Sequence, residues 1–478
     1  MKPELRAAPA FVPRVTHRGA SPVRAEATAL GRLSFAILIA FLFMIFSRIF
    51  DIRLTWMHLP GISYRLVGVF LLITGTFVVA FRNRIGKCVL GFTVCFLAAI
   101  VFSIWHRGSV EILTDQWLVG FVAFVATASL ISDFSQYVLS AKTIALAILV
   151  LTATCLALGN MDTGRLFLEQ GRFSNPNEMA QALLLGMPFW WALYSNFRSL
   201  PAKLLGLGSL ALMLYVISKT GSRGALISLL VIAGLAFIRA AAVDKMKLFV
   251  GGAVLLVLAA LTLPADLRTR YMTFFSLDEP EAANRDERAA DSAMLESAVA
   301  STNTRKAMLI RSLIVTWKHP LLGVGPGNFE VAENEMAREK GKRKGAWVGT
   351  HNSFTQVSSE CGIPAFLFYC GILALSFKKS YALYRRAKQN PRFKEIGTHS
   401  LALNYSLIAF AVTGLFVHAA YTALLPVLAG LTVSLLRTSE PLLVRMTQDA
   451  GPATQPPAWT RGYRSAVSRL VRVPARST

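Results

Sequence analysis

Charged side chains are scarce in this chain of 478 residues, at 16%, against 54% hydrophobic residues and a mean hydropathy of +0.50. That balance excludes a soluble globular protein and fits a polytopic membrane protein. Cysteine is also sparse and odd in number, with 5 in all. Cys88, Cys95, Cys155, Cys361 and Cys370 all fall in apolar runs, which excludes a disulfide framework or a cysteine metal site. Several chemical signatures are missing altogether. The sequence has no DxD-type metal–nucleotide pair, no Walker A loop and no HExxH, so no metal or nucleotide cofactor is expected.

What is present in abundance is apolar length. About twelve runs of roughly 17–25 residues, enough to cross a bilayer, recur along the chain. They lie near 32–50, 62–81, 87–105, 117–138, 141–158, 178–197, 202–219, 224–242, 246–263, 353–377, 399–418 and 420–436. The expected fold is all-α, with spans 1–9 in residues 32–263 and spans 10–12 in 353–436. The first run reads as a retained span, because its apolar core exceeds a signal peptide's roughly 7–15 residues and no cleavage site follows.

Net charge is +24, and its distribution decides its meaning. Basic residues crowd the 1–31 arm, the 82–87 and 378–394 loops and the 437–478 tail, all on one side of a twelve-span chain. The positive-inside rule makes that side cytoplasmic. The Pro-, Ala- and Arg-rich ends read as disordered segments that touch anionic lipid heads. No aromatic or folded reader accompanies their arginines, so no nucleic-acid partner is expected.

The long interruption, residues 264–352, falls on the outer side and balances 12 acidic against 13 basic residues. A loop of this length points to function. Met308, Ile310, Leu313, Ile314 and Trp317 have helical spacing, and the helix should end near His319 and Pro320. Residues 276–304 read as an exposed, mobile insert.

Four polar clusters share that outer face: GRFSNPN (171–177), KTGSRG (219–224), Arg305, and GTHNSF (349–354). Ionisable groups at a bilayer edge are a functional hypothesis by default. Guanidinium forks suit phosphate oxygens, so Arg172, Arg223 and Arg305 together fit a diphosphate. Taken singly, Arg172 and Arg223 also fit snorkelling to headgroups, and Arg305 a salt bridge within its acidic loop. The glycine run around Gly325 and Gly327 resembles a phosphate cradle, but without the following Lys-Ser/Thr it also reads as a turn needing positive φ. His351 is suited to act as a general base near neutral pH. A helix beginning at His351 would place Thr355 and Ser358 on the same face and Glu360 on the opposite one, with a kink at Gly362 and Pro364.

These motifs together resemble the O-antigen ligase and polymerase superfamily of bacterial membrane glycosyltransferases, over roughly residues 160–380. The resemblance rests on FSNPNEMA (173–180), SRGA (222–225), an arginine about fourteen residues before HPLLGVGPGNF (319–329), and HN (351–352) followed by Gly362. Two departures from the family pattern are Ala365, three residues after that glycine, and Leu309, where a tryptophan is usual. The resemblance implies inverting, metal-independent transfer of a glycan from undecaprenyl diphosphate on the periplasmic face of the inner membrane. His351 would be the base, Arg223 and Arg305 would bind the diphosphate, and Arg172, Asn175, Asn177, Asn352, Gly325 and Gly327 would contact substrate. Such a donor carries its own activation, so neither metal nor ATP is needed. The acceptor would be lipid A–core, a growing lipid-linked polysaccharide or a protein hydroxyl. A membrane transporter is the alternative from another class; it would show paired broken helices in two halves, and no such repeat is visible.

Overall fold

The computed structural model describes residues 29–49, 59–162, 164–169, 174–240, 289–339 and 345–448, with Gly341 and a few positions between 242 and 271. It is mostly helical. In chain order the helices are α1 (Ala29–Ser47), α2 (Leu59–Thr74), α3 (Val78–Phe81), α4 (Arg84–Val101), α5 (His106–Ile112), α6 (Leu118–Leu130) and α7 (Phe134–Leu158). After a β1–β2 hairpin (Asn160–Asp162, Arg165–Phe167) come α8 (Pro176–Tyr194), α9 (Leu200–Lys219) and α10 (Arg223–Arg239). Then follow α11 (Ala289–Lys318), α12 (Phe329–Glu339), α13 (Ser353–Ala387), α14 (Lys394–Gly414) and α15 (Leu424–Gln448).

Among the described residues 7 helical segments are long and apolar enough to cross a membrane, which makes this a multi-pass membrane protein. Of the expected run at 246–263, only Met246 and residues 249–253 are described, and they are helical. Residues 1–28, 272–288 and 449–478 lie outside the described residues, and with them most of the expected basic arm and tail.

Several expected boundaries shift. The run at 62–81 is two helices, because Gly75 takes a positive φ of 61° after Thr74. The run at 117–138 is not one span: helix starts at His106, passes through a π turn (Leu113–Trp117) and stops at Leu130. There Asp133 caps α7, its carboxylate accepting the Gln136 amide at 2.9 Å. Residues 289–304, expected as a mobile insert, extend α11 toward its N-terminus. The C-terminal tail begins later than residue 437, since α15 runs on to Gln448.

One hydrophobic core threads α1, α4, α6–α8, α13–α15 and their neighbours. Phe92, Phe96, Trp117, Tyr369 and Tyr421 interlock at its centre, with Phe92 and Trp117 ring centroids 4.5 Å apart. Antiparallel returns sort the connections into two ends. The polar segments 159–162, 164–169, 174–175, 220–222, 319–328, 349–352 and 415–423 share one end. Arg82, Arg84, Arg198, Arg239, Arg386 and Arg392 mark the other.

Helix α13 is broken where the sequence places Gly362 and Pro364, with Gly362 at φ 84°. The backbone groups released by the break find partners in the α11–α12 connection. Val324 N donates to Ser359 O at 3.1 Å, Gly325 N to Glu360 O at 2.8 Å, and Ile363 N to Pro320 O at 2.7 Å. Proline at 364 has no N–H to compete for the Glu360 carbonyl. The fit is tight enough that a Cβ on Gly362 would collide with the Leu321 carbonyl.

Candidate functional site

The polar end of the bundle is assembled from several separate stretches of chain. Asn175 caps α8, its side-chain oxygen accepting the Asn177 amide at 3.0 Å. Asn177 in turn accepts from Arg165 at 3.1 Å, and Arg165 Nε donates to Thr220 O at 2.9 Å. Arg165 comes from the hairpin and ties it to the start of α8 and the α9–α10 turn. In that turn Ser222 caps α10, and Arg223, half-buried, is its first residue. Arg172 lies outside the described residues.

Gly224 packs against Phe416 so closely that a Cβ there would lie 2.7 Å from the ring-bearing carbon. Phe416 begins the α14–α15 connection, which is stitched to the start of α13. Ser353 Oγ donates to Val417 O at 2.7 Å, and Ala420 N donates to the Gln356 side chain at 3.1 Å. Through this connection the Arg223 turn and the His351 turn lie at one end of the same bundle.

His351 does not open a helix, contrary to expectation. Asn352 is the cap, its side-chain oxygen accepting the amides of Phe354 and Thr355 at 2.9 and 3.1 Å. His351 precedes it at φ +50°, a left-handed conformation that β-carbon residues seldom adopt. Asn/Asp/His tolerate it best, but it still marks a constrained position. The adjacent Thr350 donates to Asn352 O at 3.0 Å and lies 3.1 Å from His418 Nδ1. With the hydroxyl proton directed to the carbonyl, Nδ1 of His418 is left to donate to Thr350.

Arg305, on α11, is close enough for its charge to act on His351. Burial, and then that positive charge, hold the imidazole below its ordinary pKa, so it is neutral and proton-accepting at neutral pH. Helix α11 is docked on α13 by Thr316 and Ser358, whose hydroxyls are 2.9 Å apart. It is held to α12 by the Arg311–Glu333 ion pair. Glu333 also accepts the Ala346 amide at 2.8 Å, which ties the irregular run into Thr350 to α12.

Gly325 and Gly327 do adopt positive φ, 98° and 76°. Their amides are engaged by the protein: Gly325 N by Glu360 O, and Gly327 N by the buried Glu360 carboxylate, each at 2.8 Å. This is the turn reading of the glycine run, and it corrects the phosphate-cradle reading, because those two amides already have acceptors. Glu360 thus pairs away from the histidine, as expected of the opposite face; Gln356 and Tyr421 also approach its carboxylate.

Two groups at this end went unnoticed in the sequence. Arg165 follows an Asp-Thr-Gly turn, a hairpin signal that was available. His418 sits at the edge of an apolar run, where an ionisable residue is itself a signal. Among the described residues no three His, Cys, Asp or Glu side chains gather as a metal-ligand group.

Comparison with known proteins adds one match. A sequence-family model described as O-antigen ligase matches residues 208–370, a stretch that contains Arg223, Arg305, the glycine run and His351. No curated protein matches the chain.

Proposed function

We propose that this chain, a member of the O-antigen ligase and polymerase superfamily, transfers a glycan from undecaprenyl diphosphate to an acceptor hydroxyl. The reaction is set at the periplasmic face of the inner membrane, because the basic helix ends gather at the opposite end of the bundle. The observation that carries the reading is the electrostatic pairing at the start of α13. Burial first, and then the guanidinium that would face the donor's phosphates, hold the half-buried His351 below its ordinary pKa.

In the proposed step His351 accepts the proton of the acceptor hydroxyl as its oxygen attacks the anomeric carbon. The bond from that carbon to the phosphate oxygen breaks on the opposite face, and its electron pair leaves with undecaprenyl diphosphate. Arg305 and Arg223 stabilise the negative charge that grows on the leaving group. Asn175, Asn177 and Asn352 contact substrate; Arg172, outside the described residues, is kept as a further contact on the sequence pattern alone. The imidazolium formed at His351 is disfavoured by Arg305, which returns the proton to water and resets the base. No external activation is required, since the diphosphate leaving group supplies it. The acceptor is lipid A–core or a growing lipid-linked polysaccharide.

His351→Ala should lower transfer from purified lipid-linked donor by about 10²–10⁴-fold with normal membrane insertion. Arg223→Ala and Arg305→Ala should each cost about 10²–10³-fold and weaken donor binding. Full transfer by the histidine variant would remove the base; unchanged donor affinity in both arginine variants would remove the phosphate site.

A further inference from the structure

Helix α11 belongs to the connection between spans, yet it carries two apolar stripes. Met308, Ser312 and Val315 form the inward one and are buried. Ile310, Leu313, Ile314 and Trp317 form the outward one, spaced i, i+3, i+4 and i+7, and Leu321 extends it past the helix end. At roughly 100° per residue the two stripes face opposite ways. The outward residues are 51%, 52%, 39%, 84% and 70% exposed in the same order. With Lys318 the four helical ones line a shallow apolar depression. A contiguous exposed apolar face of this kind marks a surface that is covered in use.

We propose that the outward stripe of α11 is seated in the membrane, against lipid acyl chains just below the headgroups. Continuity with the lipid-facing belt of the spans selects this occupant. The Pro320–Ile363 hydrogen bond sets Leu321 beside Ile363, which is 39% exposed, and Leu367 follows at 63%. Both belong to α13, one of the helices apolar enough to cross a membrane. On the other side Val324 O accepts the Ile104 amide at 3.1 Å, beside Phe102 and Trp105 at the end of α4, 67% and 48% exposed. The apolar belts of two spans therefore meet the stripe at its Leu321 end. Trp317 has the amphipathic ring that favours the bilayer interface, and the stripe matches an in-plane amphipathic helix. Lys318, at the rim of the depression, pairs with Glu339 of α12. The consequence is that α11 is anchored by lipid as well as by α13, so Arg305 stands at headgroup depth.

The test uses the full-length protein in phosphatidylcholine vesicles with brominated acyl chains. The Trp317 signal is the difference in tryptophan emission between the wild type and Trp317→Phe, a change at an exposed side chain. Bromolipid should quench most of that difference signal, whatever aqueous iodide does. An Ile310→Trp probe, added to the Trp317→Phe variant, should report the same. Quenching by iodide and not by bromolipid would put the stripe in water. Quenching by neither would put it under protein, a second copy included; both results overturn the proposal.

Discussion

At the residue scale the site depends on how His351 is held. Its positive φ is fixed by a short chain of contacts running from His418 through Thr350 to the Asn352 carbonyl. His418 does not need to touch substrate to matter; it positions the turn. His418→Ala should therefore lower kcat more than it raises KM. His418→Asn, whose amide can still donate to Thr350, should recover much of the loss. A steady-state comparison of the two variants checks this, and equal loss in both would argue against a hydrogen-bonding role. Arg165 plays a comparable part for Asn177 and Thr220. Neither residue stands out in a linear reading, because each acts on a stretch of chain tens of residues away.

At the scale of elements the decisive feature is the exchange of backbone hydrogen bonds between broken α13 and the glycine run. The break was legible: Gly362 and Pro364 announce it, and the Lys318–Pro320 end of α11 follows from helical spacing and proline. What fills the break was not legible, since no local pattern shows that Val324 and Gly325 will donate to Ser359 and Glu360. Nor did the spacing reveal that His351 lies outside the helix; Asn352 competes as a cap, and the cap wins. Gly362→Ala tests the exchange. A β-carbon there faces both a positive φ and a collision with the Leu321 carbonyl. The left-handed conformation alone costs about 1–2 kcal/mol, and the steric overlap adds to it. Thermal unfolding of the detergent-solubilised variant should show a lowered midpoint, whereas Gly208→Ala, with open space around it, should not. Equal midpoints for the two would deny the tight docking of the loop.

At the scale of the whole molecule, composition alone declared a multi-pass membrane protein, and 7 long apolar helices among the described residues agree. The boundary between α6 and α7 differs from the expected run at 117–138, because Ile131–Asp133 interrupts what reads as one apolar stretch. The two-ended distribution of polar segments predicts a topology. In right-side-out vesicles, a cysteine at exposed Glu335 on α12 should react with an impermeant maleimide, and one at Gln389 should not, once the native cysteines are replaced. Reversed labelling would move the site to the cytoplasm and end the periplasmic reading. The central claim is that burial and the neighbouring Arg305 guanidinium together keep the reacting imidazole neutral, and the pH–rate profile of glycan transfer tests it most directly. For the wild type kcat/KM should fall with acid through an inflection below the ordinary histidine value of about 6.5. Burial and Arg305 both lower that pKa, so Arg305→Met should slow the reaction and move the inflection upward toward that value. An inflection that stays in place when Arg305 is neutralised, or that persists in His351→Ala, would contradict the account.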